Sequence, residues 1–230
     1  KTVVGLPEDC HRFDDLPSFN KTRSEAIEYL RSRMIDEKNL FVCTRGRYRN
    51  RIIIPYFDAS GNLIYYNGRY IGDPGQNLRY LGPPKELGVG KGDVLFVPEW
   101  PEKGQKIYIA EGEFDAMSLR QCGFYSAALG GKNMTQRQME MISPYIPVLC
   151  FDADEHGGDA TMKIAASLVS GGFKKVNYVR PCVEHKDWNG LMVARGRDIV
   201  SAYINHHEKE YDTSMGDWES MRLRMKGMLK

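Results

Sequence analysis

Three carboxylates stand where two short apolar runs give way to turns, and a fourth lies further along the chain. Glu111 follows Ile107-Tyr-Ile-Ala110, Asp152 and Asp154 follow Val148-Leu-Cys-Phe151, and Asp187 lies within His185-Lys-Asp-Trp-Asn189. In open α/β sheets, ligands sit in the crevice beyond the carboxyl ends of the strands. Carboxylates delivered there from two separate strands cannot all stay ionised without a counter-charge. Oxygen ligands with room for water suit a hard cation, Mg²⁺ first among them. A calcium EF-hand is excluded. Gly157 falls correctly for such a loop, but His156 and Lys163 occupy its fifth and twelfth places.

Around these residues the pattern alternates. Strands are expected at Lys106–Ala110, Tyr125–Leu129, Pro147–Phe151 and Lys175–Val179. Helices are expected at Phe114–Gln121, Thr135–Ser143 and Ala160–Ser170. A β-α-β-α rhythm with short connections implies a parallel sheet with helices on its faces. Beyond Arg195, Asp198–His207 and Asp217–Met228 read as helices. Met221, Met225 and Met228 fall at helical spacing in the last, which suits packing or a partner contact.

The first hundred residues read differently. Ser24 is a plausible N-cap for a packing helix reaching Met34. The β-rich runs Arg51–Phe57 and Leu63–Tyr66 flank the turn Asp58-Ala-Ser-Gly-Asn62, and Val94–Val97 reads as a third strand. This segment carries Arg45, Arg47, Arg49, Arg51, Arg69, Arg79, Lys85 and Lys91 among Tyr48, Tyr66, Tyr70 and Tyr80. Basic groups beside aromatic faces hold phosphates and stack bases, although a solvated surface also needs charges. Four arginines between Arg45 and Arg51 sharpen the first reading, and on composition the two stand about even.

Composition narrows the class further. The 230 residues suffice for one large or two small domains, and the net charge is only +2. No apolar run approaches the roughly 20 residues needed to cross a bilayer, and no secretory leader opens the chain. Five dispersed cysteines without a C-x-x-C pair suit reduced thiols in a cytoplasmic setting, and no zinc is expected. A chain beginning at Lys1 is expected to be a segment of a longer protein.

Asp-x-Asp after a buried strand also marks aspartyl-phosphate phosphatases of the haloacid dehalogenase type. There a Thr or Val normally follows two residues later, where His156 stands here. The ordered set Glu111-Gly-Glu-Phe-Asp115, Leu129-Gly130, Asp152-Ala-Asp154-Glu-His-Gly157 and Lys186-Asp187 instead resembles the Toprim domain of primases, topoisomerases and related nucleases. Within that group it is most similar to DnaG-type primases of bacteria and phages. The resemblance extends upstream through Arg49-Asn-Arg51-Ile-Ile-Ile-Pro55, Gly68-Arg69, Arg79-Tyr-Leu81 and Gly90-Lys91-Gly92, and covers Arg45 to Gly196. Asn189 departs from it, standing where many bacterial primases have a second aspartate. The zinc module of such primases and a Walker A motif are both missing from these residues.

What the resemblance implies is specific. The fold would be an α+β basic subdomain over residues 1–103, an α/β Toprim domain with a parallel-sheet core over 104–196, and a helical segment over 197–230. Its activity would be Mg²⁺- or Mn²⁺-dependent synthesis of short RNA primers on single-stranded DNA from ribonucleoside triphosphates. A replicative helicase would be its partner and a phage its source. Glu111, Asp152 and Asp154 would hold the metal, with Asp187 as a further ligand and Glu111 as a candidate general base. Asp115 would serve the same site or cap a helix. Arg49, Arg51, Arg69, Arg79 and Lys91 would line the path of template and nucleotide. The alternative is a Toprim nuclease or topoisomerase-like protein using the same metals.

Overall fold

The computed structural model describes residues 4–182 and 184–211. The expected helix Asp217–Met228 lies outside them. The chain divides into two units at Val97/Pro98, a few residues ahead of the expected boundary at 103/104.

The first unit is built on a five-stranded antiparallel sheet, in the order β1 (Cys10–His11), β2 (Phe41–Cys43), β3 (Arg51–Phe57), β4 (Leu63–Tyr70), β5 (Tyr80–Leu81). The β3–β4 hairpin is its spine. Its loop is fixed by Asp58, whose Oδ1 accepts from the amides of Ser60 and Asn62, both at 2.9 Å. Apolar and aromatic side chains then stack across the strands, with Tyr56 edge-on to Tyr65 and tilted against Phe96. Helix α1 (Lys21–Ser32) buries Ala26 and Leu30. Its cap is Asn20, which accepts from the Arg23 amide at 2.9 Å. Ser24, the expected cap, is already helical and turns its hydroxyl back to Asn20 O. Val94–Val97 is buried as expected of an apolar run, yet makes no regular strand.

The second unit holds β6 (Lys106–Ala110), β7 (Ser126–Ala128), β8 (Ile146–Leu149), β9 (Asn177–Tyr178) and β10 (Lys209–Glu210), ordered β10-β9-β8-β6-β7. All pairings are parallel except β10 on β9. Four of the five β6 residues are buried, as both faces of a parallel sheet are covered. The helices are α2 (Glu113–Gln121), α3 (Gln136–Ile142), α4 (Glu155–Ser170), α5 (Trp188–Arg195) and α6 (Arg197–His207). Residues 197–211, set apart in the sequence reading, belong to this unit, since β10 joins its sheet.

The sheet order sets the site. From β6 the chain passes through α2 to β7 on one side, then crosses through α3 to β8 on the other. The switch point therefore lies between β6 and β8, and Ile109 pairs with Leu149 there. Glu111 and Asp152 leave these adjacent strands at the same edge.

Candidate active site

Each carboxylate is placed by the first turn of a helix or the last bond of a strand. Glu111 directly follows β6 and its carbonyl accepts from the Gly130 amide at 3.0 Å. Its Oε1 is buried and has no hydrogen-bond partner. Burial lifts this carboxyl above the ordinary range, against an opposing pull from the Asp152 amide. Asp152 is pushed up to about 6, by burial first and then by Glu111 and Asp187. Asp154 goes the other way. It caps α4 by accepting from the Gly157 amide at 2.8 Å, and that bond holds its carboxyl below the usual range.

Helix α4 starts at Glu155, five residues earlier than the sequence suggested. The Gly157-Gly158 pair disguises this, because glycine is a poor helix former. Both glycines are there for close approach. A Cβ on Gly157 would meet Asp152 O at 2.3 Å, and one on Gly158 would meet Arg180 Nη1 at 3.0 Å. Arg180 was not singled out in the sequence. Its Nη2 donates to the carbonyls of Asp152 (3.1 Å) and Asp154 (2.6 Å), clamping the Asp-x-Asp turn from below. Nothing local announces that role, since the partner is twenty-odd residues away in a different loop.

Asp187 caps α5, accepting from the Gly190 amide at 2.6 Å. This short helix was also missed, because Gly190 and the motif residues around it mask its periodicity. Trp188 anchors it, fully buried, with its indole N–H donating to Cys150 O at 2.9 Å. Asn189 is buried as well. Its amide donates to Asp115 Oδ1 at 3.0 Å and its Nδ2 to Ser118 Oγ at 2.9 Å. The departure at Asn189 is thus a tie between α5 and α2. Asp115 lies in the first turn of α2, and its carboxyl is pushed up to about 8 by burial and then by Asp187. Glu113 is buried in that same turn.

The fit to a divalent cation rests on three features: the orphaned Glu111 oxygen, the raised carboxyls of Glu111 and Asp152, and an all-oxygen donor set. The carboxylates are not drawn into one tight cluster. Lys186 Nζ stands 3.9 Å from Asp152 and 3.8 Å from Asp154, supplying part of the counter-charge. Among the described residues, the group of three ligand atoms within 4.8 Å of one another is Cys182, Glu184 and His185.

Comparison with known proteins meets this geometry at the same residues. A family model described as Toprim-like matches residues 108–192. The second unit carries a Toprim-like domain. The chain is 32% identical over 177 residues to the DNA primase of Clostridium acetobutylicum, covering 74% of this chain and 29% of that protein. The chain thus spans about three-tenths of the length of that relative. Two solved structures share the fold. The Aquifex aeolicus primase (zinc-binding and RNA polymerase domains) aligns with a TM-score of 0.68 at 23% identity, over 90% of this chain and 63% of that one. A DnaG primase catalytic domain bound to single-stranded DNA aligns at 0.65 and 18% identity, over 82% and 73%. The resemblance to DnaG-type primases stated from the motifs is therefore confirmed. The Toprim-like match spans Glu111, Asp115, Asp152, Asp154 and Asp187 together.

The basic residues of the first unit separate into two groups. Arg51 is 4% exposed, and its guanidinium donates to Gly68 O (3.0 Å), Leu78 O (2.7 Å) and Arg79 O (3.4 Å) while lying over Tyr70. Arg69 is 6% exposed, donates to Tyr29 Oη at 3.1 Å and lies over the rings of Tyr29 and Tyr80. Both hold the unit together, and neither presents its charge to solvent. Arg49 and Arg79 are exposed, and Lys91 lies over Tyr80 at 5.1 Å. An open cavity of about 510 Å³ is lined by Lys21, Arg45, Arg49 and Asn50. Lys21 was not singled out in the sequence, because the loop it faces is distant along the chain.

Proposed function

We propose that this chain is the catalytic part of a DNA primase, which copies single-stranded DNA into short RNA primers from ribonucleoside triphosphates. The observation that supports it most is the set of carboxylates at the carboxyl edge of two adjacent parallel strands, at the switch point, with one buried oxygen left without a partner. Glu111, Asp152 and Asp154 would hold Mg²⁺ or Mn²⁺, and Asp187 would add a further oxygen. When bound, such ions neutralise triphosphate charge and align the attacking hydroxyl.

The chain's own residues supply the rest. Glu111 is the candidate general base toward a primer 3′-hydroxyl, since burial raises its carboxyl and makes it a stronger base. Arg180 fixes the Asp-x-Asp turn through the backbone carbonyls of Asp152 and Asp154, a contact that uses neither carboxylate. Asp115 and Asn189 position α5, and with it Asp187. In the basic N-terminal subdomain, Arg49, Arg79 and Lys91, joined by Lys21 and Arg45, bind phosphates of template and nucleotide. Arg51 and Arg69 support that surface from within. A replicative helicase partner, a cytoplasmic setting and a phage source belong to the same proposal. Among the described residues no helix is long and apolar enough to cross a membrane.

The test is incubation with single-stranded DNA, Mg²⁺ and labelled ribonucleotides, with and without a short annealed primer. Template-dependent RNA that disappears in Asp152→Asn supports the assignment. Metal-dependent cleavage of the DNA without synthesis would transfer the site to the nuclease or topoisomerase-like alternative.

A further inference from the structure

The turn between β9 and α5 carries three side chains that primer synthesis does not use. A thiol from Cys182, a carboxylate oxygen from Glu184 and a ring nitrogen from His185 all lie within 4.8 Å of one another. The His185 amide donates to the Cys182 carbonyl at 2.9 Å, closing a turn that sets the first and fourth residues side by side. Cys182 is a free, half-buried thiol. Neither it nor the His185 ring hydrogen-bonds to another described residue. Thiolate, imidazole and carboxylate are all ligands of zinc, and this turn brings one of each together. A hard ion such as Mg²⁺ does not select a thiol. Glu184 pairs with Arg195 at 3.1 Å, but both side chains are mostly exposed, so the carboxylate can leave that pair at little cost.

We propose that Cys182, Glu184 and His185 form a binding site for a divalent metal of the zinc class, with water as the fourth ligand and separate from the carboxylate site. Metal there ties down the turn that runs directly into Lys186 and Asp187. The expectation of no zinc rested on the lack of a Cys-x-x-Cys pair, a criterion that Cys182-x-x-His185 escapes.

Co²⁺, which reports its ligands by absorption, is titrated into the 230-residue chain in the presence of excess Mg²⁺ to fill oxygen sites. The expected result is a thiolate-to-cobalt charge-transfer band with tetrahedral d–d intensity, saturating at one equivalent and erased by Zn²⁺, which binds such sites more tightly. Cys182→Ser and Cys182→Ala should remove the band. His185→Ala should weaken cobalt binding by about tenfold or more. Circular dichroism and the Mg²⁺-dependent rise in Tm should be unchanged in all three, which separates loss of ligand from loss of fold. A band that survives both Cys182 substitutions, or no band at stoichiometric cobalt, overturns the proposal.

Discussion

The two units treat buried charge in opposite ways. In the first, Arg51 and Arg69 are almost fully buried and partnered from within, Arg51 by carbonyls and the Tyr70 ring, Arg69 by the Tyr29 hydroxyl and the rings of Tyr29 and Tyr80. In the second, Glu111 keeps one buried oxygen without a partner and Asp115 accepts from the Asn189 amide, yet burial pushes both carboxyls upward. The same sheet shows that this is not a general failing. Burial raises Glu208 too, but its bonds from Lys106, Asn177 and Tyr108 outweigh that and hold its carboxyl below the ordinary range. A buried charge satisfied from within belongs to the fold. One left unsatisfied at a strand end is held for something from outside.

The largest test of that contrast is loss of the unsatisfied set. Asp152→Asn or Glu111→Gln should lower primer synthesis on the order of a thousandfold, while thermal stability in metal-free buffer is kept or raised. A fall in Tm with activity retained would reverse the assignment. Next comes the satisfied set. Arg51→Ala removes the donors to the Gly68 and Leu78 carbonyls and empties a buried site, and should cost about 3 kcal/mol in a urea melt, far more than truncating an exposed arginine. If Arg51→Ala instead leaves stability intact and weakens DNA binding, Arg51 belongs to the interface after all.

Gly157→Ala probes the support of the site. Its new methyl meets Asp152 O at 2.3 Å, so overpacking of about 1–3 kcal/mol and displacement of the Asp-x-Asp turn should follow, read as a raised metal Kd. Lys91→Ala and Arg79→Ala should each reduce the slope of log affinity against log salt by about one, with stability unaffected. The smallest effect is on pH dependence. Asp115 is raised from 3.8 to about 8, so its protonated form is favoured by folding. That contribution is full below pH 4 and is lost as pH rises through 8. Asp115→Asn should therefore melt above the parent by a few degrees at pH 9, with the difference shrinking toward pH 5, measured in chelator.

Much of the second unit was legible because parallel strands and their helices are local in sequence. Apolar runs of strand length, each closed by carboxylate or glycine, marked β6 and β8 and with them Glu111, Asp152 and Asp154. Helix α3 was legible through Thr135, whose capping box with Gln138 is written in four adjacent residues. Helix α5, the early start of α4 and the clamp by Arg180 were not. Each depends on a partner far along the chain: Cys150 O for Trp188, Asp152 O for Gly157, two turn carbonyls for Arg180.

The arginines mark the same boundary most sharply. By residue type and spacing alone, Arg49, Arg51, Arg69 and Arg79 are equivalent, and the sequence could determine only that a basic, aromatic-rich sheet was present. Both faces of β3 and β4 are covered, so Arg51 beside Tyr70 and Arg69 beside Ile52 are buried on opposite faces, whereas Arg49 and Arg79 lie outside those strands and stay exposed. The identity of the chemistry was local, because carboxylates must end their strands to reach a crevice. Which charges are spent on the fold and which remain for a ligand is a matter of long-range packing, and only the tertiary structure could decide it.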